Sequence, residues 1–254
     1  MDFARYPSLS GRVVFVTGGA SGIGADIVRA FARNGAKVAF VDIQVEVGRR
    51  LVADLAGAEH APLFLPCDLV DIPALQQAIR DSADSLGPIG ALVNNAANDH
   101  RHRIEDVTPD YWDKTQAINL RPQFFAAQAV LPFMRQLGSG SVINLSSIAW
   151  RLGADNMVAY ASAKAAIVGL TRSLARAFGD DNIRVNAIEP GAVMTERQRQ
   201  LWYPTPEDVD RMVRRQCIKN VLLGEEIARA ALFLAADDSR MITKQSIIVD
   251  AGFL

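Results

Sequence analysis

Hydrophobic positions along the chain fall into two alternating kinds of stretch. Short β-branched runs such as "RVVFVT" and "KVAFVD" are each followed by a longer segment in which apolar residues recur every three or four positions. Val47, Leu51 and Leu55 show the second kind, at i, i+4 and i+8, the spacing of a helix with one face on a sheet. The runs continue with "APLFLP", "ALVNN", "GSVINLS", "IRVNAI" and "SIIVD", which makes seven predicted strands. Helices are predicted from about residue 22, through 45–55 and 72–86, over 111–137 as one long helix, over 157–178, and from 225. Residues 192–216 show no clear period and read as an irregular lid. Strands without tight hairpin signals, separated by helix-length segments, predict an α/β domain: a doubly wound, mostly parallel sheet of about seven strands with helices on both faces. With no repeat, low-complexity tract or linker, residues 1–254 read as one domain.

Charge and composition narrow the partners. Twenty-seven basic residues against 28 acidic ones leave a net charge of −1, so no bulk field draws the chain to nucleic acid or an anionic membrane. The expected partners are a small-molecule substrate and further copies of the chain. Cys67 and Cys217 stand far apart without C-x-x-C spacing and read as free thiols of a reducing compartment. No run of residues suggests a signal peptide or a membrane span, so the cytoplasm is the expected location. No cluster of residues suggests a metal.

Chemistry enters at "VTGGASGIGADIV", where glycines 18, 19, 22 and 24 link the first strand to the first helix. Backbone approaches a pyrophosphate closely only where no Cβ intervenes, and helix-start amides favour the anion. Asp42 ends the second strand, twenty residues past Gly22, where a carboxylate accepts hydrogen bonds from both hydroxyls of an adenosine ribose and repels a 2′-phosphate. "TGGASGIG" itself contains no Lys or Arg, so the expected cofactor is NAD rather than NADP. In "VAYASAKAAI", Tyr160 and Lys164 are four apart and share a helix face, while Ala163, Ile167, Leu170 and Leu174 form a stripe toward the sheet. A free phenol, with a pKa near ~10, is a poor base at neutral pH, but a nearby ammonium and a positive nicotinamide favour the phenolate.

With these motifs in register the chain resembles the short-chain dehydrogenase/reductase family over essentially its whole length. The carrying residues are "TGGASGIG", "CDL" with Asp68 and Leu69, "NNAA", "YASAK" and "PG". The resemblance implies a Rossmann fold, hydride transfer between an alcohol and a carbonyl, and a homotetramer. It implies a catalytic tetrad of Asn119, Ser147 (thirteen residues before the tyrosine), Tyr160 and Lys164. It sets Gly18, Ser21, Gly22, Ile23, Gly24, Asp42, Ile43, Asp68, Leu69, Asn95, Ala96, Ala97, Pro190, Gly191, Val193 and Thr195 against the cofactor, together with Tyr160 and Lys164. One departure is Ala97, where the family commonly has glycine.

The loops that follow the strands address the substrate. Asn98, Asp99, Arg101, His102, Trp150, Asn156, Trp202 and Tyr203, with Ser147 and Tyr160, compose a pocket rich in hydrogen-bonding groups and aromatic faces, which suits a polyhydroxylated ring better than an acyl chain. The same segments are similar to bacterial NAD-dependent aldose 1-dehydrogenases such as those for D-xylose, which implies oxidation of an anomeric hydroxyl to a lactone. His100 and His102 also read as decoration of a solvated loop, and Trp202 with Tyr203 as a subunit contact. Arg197, Arg199, Arg211, Arg214 and Arg215 read as the wet face of a lid helix. The competing readings are a dehydrogenase of another polyol or secondary alcohol, a 3-oxoacyl reductase, against which Asp42 speaks, and a non-catalytic dinucleotide-binding regulator, against which the intact tetrad speaks.

Overall fold

The computed structural model describes residues 3–254. Seven strands form one parallel sheet in the order β3-β2-β1-β4-β5-β6-β7. Along the chain the elements are β1 (Val13–Thr17), α1 (Gly22–Arg33), β2 (Lys37–Asp42), α2 (Val45–Asp54), β3 (Leu63–Pro66), α3 (Ile72–Leu86) and β4 (Ile89–Asn94). There follow α4 (Pro109–Asn119), α5 (Arg121–Leu137), β5 (Gly140–Leu145), α6 (Val158–Phe178), β6 (Ile183–Pro190), α7 (Glu196–Trp202), α8 (Pro206–Arg214), α9 (Gly224–Ala235) and β7 (Ser246–Val249).

The period of two along a strand sorts its side chains between two cores. Val14 and Val16 of β1 join Ile27, Val28 and Phe31 of α1 and Ile227 and Ala231 of α9 on one face. Val13 and Phe15 join Leu75 and Ile79 of α3, Val130 and Met134 of α5 and Leu174 of α6 on the other. Both faces are covered, so β1 is buried at all five positions, as a central parallel strand must be. The strand order reverses between β1 and β4, and in such sheets the crevice outside the carboxyl ends at the reversal is where ligands bind. This is the Rossmann arrangement predicted from the sequence. No helix among the described residues is long and apolar enough to cross a membrane.

Two predicted segments differ. The single helix expected over residues 111–137 is two helices, α4 and α5, broken at Leu120 (φ −117°, ψ −55°). Pro122 has no N–H and its ring crowds the carbonyl four residues back, which favours a break ahead of it, and the first turn of α5 accepts it at no cost; Pro132 is carried inside α5. The stretch 192–216, expected to be irregular, contains α7 and α8. Thr195 caps α7 through the Gln198 amide, and Thr205 with Asp208 forms a capping box on α8. Helices of seven and nine residues are too short to show a convincing period. Their caps were the signal available.

Candidate active site

The turn after β1 is stapled to the end of β4. Thr17 Oγ1 accepts from the Asn95 and Ala96 amides (3.0 and 3.2 Å), and Asn95 Nδ2 donates to the carbonyls of Thr17 and Gly18 (3.1 and 2.9 Å). Gly18 has φ +63°, and a Cβ there would meet Ala96 Cα at 2.7 Å; a Cβ on Gly24 would fall 1.9 Å from the Gly18 carbonyl oxygen. Glycine is thus required at both places by space, and at Gly18 by conformation as well. Ser21 is the N-cap of α1 but its side chain makes no capping bond, so the helix-start amides stay open to the cleft. That cradle fits a pyrophosphate. Ala97 is not in the left-handed region, so a methyl group is accommodated without backbone strain.

Asp42 is buried at the end of β2. Its Oδ2 accepts from the Ala20 amide at 3.0 Å, and its Oδ1 accepts from the Gln44 amide at 3.0 Å and from Gln44 Nε2 at 3.2 Å. Gln44 Nε2 also donates to Ser21 Oγ at 2.9 Å, which ties the acid to the turn. Asp42, Ile43, Gln44, Asp68, Leu69 and Val70 line this end of the cleft, and no Lys or Arg stands among them.

The cleft holds about 1160 Å³, enough for a dinucleotide and a small substrate together. At its other end lie Ser147, Tyr160 and Lys164. Lys164 is buried on α6, and its Nζ donates to the Leu145 carbonyl at 2.8 Å and stands 5.4 Å from the Tyr160 ring centroid. Ser146 Oγ donates to the Lys164 carbonyl at 2.6 Å, so the end of β5 and α6 are joined twice. Ser147 Oγ accepts from the Ala149 amide at 3.1 Å and thereby caps the short turn that follows it. Asn119 lies beneath the cleft, fully buried. Its Oδ1 accepts from the Asn98 amide (2.8 Å), and its Nδ2 donates to the carbonyls of Thr115 (2.9 Å) and Asn98 (3.2 Å).

Burial dominates the titration of the pair. It pushes the Lys164 ammonium down to about 7, which the Asp99 carboxylate opposes. Burial also raises the Tyr160 phenol well above its ordinary value, Asp99 adds to that rise, and a hydrogen bond with Ser147 draws it back. The sequence predicted a phenol lowered by its lysine and a positive nicotinamide together. In the protein alone, desolvation and the Asp99 carboxylate outweigh the Ser147 hydrogen bond and hold the phenol above its ordinary value.

Of the residues expected at the substrate end, Asn98, Asp99, Arg101, Asn156 and Tyr203 line the cleft. His102, Trp150 and Trp202 are not among its walls. Trp150 turns instead to Glu189, donating from Nε1 to Oε2 at 3.0 Å, while Arg151 stacks on its ring and grips both Glu189 oxygens at 2.7 and 2.9 Å. Ser246 Oγ donates to the same carboxylate. A fully buried carboxylate collects every donor in reach, and that outweighs any pull of Trp150 toward solvent or ligand. His102 packs against Tyr111 with ring centroids 5.1 Å apart, and Trp202 lies beneath the Arg101 guanidinium.

Arg197, expected on a wet face, reaches back to Asp99 Oδ1 at 3.3 Å, and Gln198 Nε2 donates to Asp99 Oδ2 at 2.5 Å. Arg215 stacks on Phe253, and both line the cleft. The sequence carries no periodic signal for these contacts, which join residues far apart along the chain.

A family profile described as enoyl-(acyl carrier protein) reductase matches residues 18–254. A protein assigned as a galactose dehydrogenase in Rhizobium meliloti (strain 1021) is 48% identical over 98% of this chain and 97% of its own length. The D-xylose 1-dehydrogenase of Caulobacter vibrioides (strain NA1000 / CB15N) is 46% identical over 100% of both chains. A crystal structure described as a short-chain alcohol dehydrogenase from Sinorhizobium meliloti 1021 superposes with a TM-score of 0.91 at 32% identity, covering 97% of this chain and 98% of that one. With its parallel sheet, glycine cradle and Ser147, Tyr160 and Lys164 gathered in one cleft, the chain belongs to the short-chain dehydrogenase/reductase family and is an oxidoreductase that works on a small molecule with a nicotinamide cofactor.

Proposed function

We propose that the chain oxidises an aldose at its anomeric carbon to the lactone, with NAD as the acceptor. The observation that carries this reading is a substrate end walled by Asn98, Asp99, Arg101, Asn156 and Gln198, in a chain whose full-length relatives include dehydrogenases of galactose and of D-xylose. Such a wall rewards a ring with a hydroxyl on almost every carbon and penalises an apolar chain, which would leave those groups without partners. NAD is favoured over NADP because a 2′-phosphate would meet the Asp42 carboxylate, with no Lys or Arg among the described residues that line that end of the cleft.

Gly18, Gly22 and Gly24 with the open amides of α1 would hold the pyrophosphate, Asp42 the adenosine ribose, Asp68 and Leu69 the adenine, and Asn95 to Ala97 with Pro190, Gly191, Val193 and Thr195 the nicotinamide side. A bound nicotinamide would supply the acceptor for the hydride that leaves the anomeric carbon. Tyr160 Oη takes the proton of the anomeric hydroxyl, so that loss of hydride and proton together leaves the C=O of the lactone. Ser147 Oγ holds that same oxygen. Lys164 Nζ steadies the developing phenolate, a role the positive cofactor shares, because burial alone disfavours the anion. Asn119 fixes the Asn98 loop that borders the substrate, and the segment 192–216 closes the site as a lid of the single domain.

A reading as an acyl reductase has the description of the family profile in its favour. The hydrogen-bonding wall and Asp42 speak against it. The test is a nicotinamide-absorbance assay with NAD or NADP and a panel of aldoses, polyols, 3-oxoacyl thioesters and apolar secondary alcohols. Turnover of aldoses with NAD is expected, and turnover of the apolar alcohols alone would sink the sugar reading. A homotetramer is also proposed, since α4 and α5 expose Trp112 and Phe124; light scattering at micromolar concentration checks it.

A further inference from the structure

We propose that Arg101 is the specificity-determining residue of the substrate end: its guanidinium, laid flat on Trp202, offers its forked edge to two neighbouring hydroxyls of the sugar other than the reacting one. The inference rests on the sugar reading above and says which group reads the substrate.

Three observations carry it. The guanidinium carbon lies 3.9 Å from the centre of the Trp202 ring, a cation–π distance that seats the group on the indole. Arg101 Nε is buried and has no acceptor, and among the described residues the guanidinium makes no hydrogen bond or ion pair. The nearest carboxylate along the chain, Asp99, is taken by Arg197 and Gln198. A buried donor left without an acceptor is costly, and Arg101 Nε shares that condition with Trp202 Nε1 and both His102 ring nitrogens. Arg101 itself stands in the wall of the cleft.

The setting is rigid as well as unpartnered. On one side of Arg101 the His102 amide donates to the Asn156 carbonyl at 2.8 Å, and on the other Asp99 is bound to α7. Trp202 closes α7, so the stack and the Asp99 contacts are two bridges between the loop after β4 and the lid. A planar fork of fixed orientation discriminates by position. Two oxygens on adjacent carbons, both pointing to one side of the ring, match two parallel N–H donors, and inverting or deleting either hydroxyl breaks the match.

The experiment compares the wild type with Arg101→Met and Arg101→Lys on the best aldose and on its monodeoxy analogues, reading kcat, KM and the Kd of NAD. For Arg101→Met, KM for the parent aldose is expected to rise on the order of tenfold or more, with kcat changed less and NAD affinity within twofold. The analogue lacking one of the two recognised hydroxyls is expected to cost the wild type a similar factor and the variant little further. Arg101→Lys keeps the charge without the fork, so its KM is expected to rise for the parent sugar too. NAD affinity reports folding, and if Arg101→Met fails that control, Arg101→Lys decides. A KM within twofold of the wild type, or one penalty shared by the parent and every deoxy analogue, overturns the inference and leaves Arg101 a clasp for the lid. A wild type that oxidises no aldose overturns the sugar reading itself before any variant is compared.

Discussion

Asn98 and Asn119 hold each other by two hydrogen bonds: the Asn98 amide donates to Asn119 Oδ1 at 2.8 Å, and Asn119 Nδ2 donates back to the Asn98 carbonyl at 3.2 Å. The break between α4 and α5 puts Asn119 at a helix end, where its side chain serves this loop rather than another turn of helix. Asn119→Ala leaves the Asn98 amide and carbonyl unpaired beside the cleft. A loss of about 2 kcal/mol in urea unfolding is expected together with a fall in kcat. An unchanged kcat in a destabilised variant would confine Asn119 to structure.

Tyr160→Phe removes the group proposed to accept the proton and leaves the ring in place. Turnover is expected to fall by about 10² to 10⁴, with NAD affinity within a few-fold of the wild type by fluorescence titration. A near-normal rate would refute the assignment.

Asp99 raises the Tyr160 pKa, so its removal should let the phenol deprotonate at lower pH. Oxidation by the wild type is expected to rise with pH as Tyr160 loses its proton, and the acid limb of kcat/KM for Asp99→Asn to lie at lower pH. KM should rise as well, because Arg197 and Gln198 lose their anchor. Asp99 also supports the Lys164 ammonium. A limb displaced to higher pH would mean that this second effect prevails, against the prediction.

Asp42→Ala is expected to weaken NAD on the order of tenfold and to narrow the preference over NADP, since an acceptor for two ribose hydroxyls and a repulsive charge go together. Isothermal titration with both dinucleotides measures this. Unchanged NAD affinity would count against Asp42 as the ribose acceptor.

Glu189 links the loop after Ser147 to β6 and β7 through Trp150, Arg151 and Ser246. Glu189→Ala leaves these donors unpaired, and a loss of about 2–3 kcal/mol is expected, at or below the low end for a buried pair because the Arg151 side chain is 35% exposed. The bonds from Arg151, Ser246 and Trp150 hold the carboxyl below its ordinary 4.5, against the opposing pull of burial. A folded-state pKa below the unfolded value means that the stabilisation is complete above about 4.5 and lost as pH falls through the folded value. Urea midpoints of wild type and variant should therefore converge on acidification. Parallel curves would exclude the linkage.

The contrast between Tyr160 and Trp150 shows how far the sequence could be read. Tyr160 and Lys164 lie on a 21-residue helix, and their four-residue spacing puts them on one face whatever surrounds them. Trp150 sits at the end of a three-residue turn, and its direction was decided by Glu189, thirty-nine positions away. Arg197 is similar: helical spacing says nothing of Asp99, ninety-eight residues earlier.

What the sequence by itself determined is whatever depends on local periodicity and local sterics: the strands of two-residue period, the long amphipathic helices, the glycine turn, Asp42 at a strand end and the spacing of Ser147, Tyr160 and Lys164. What only the tertiary structure decided is whatever depends on groups distant in the chain meeting in a low-dielectric interior. That includes the choice of Glu189 by Trp150, the Arg101 stack on Trp202 and the direction in which burial moves Tyr160 and Lys164. Desolvation and pairing are set by the full surroundings of a group, and no stretch of sequence contains its own surroundings.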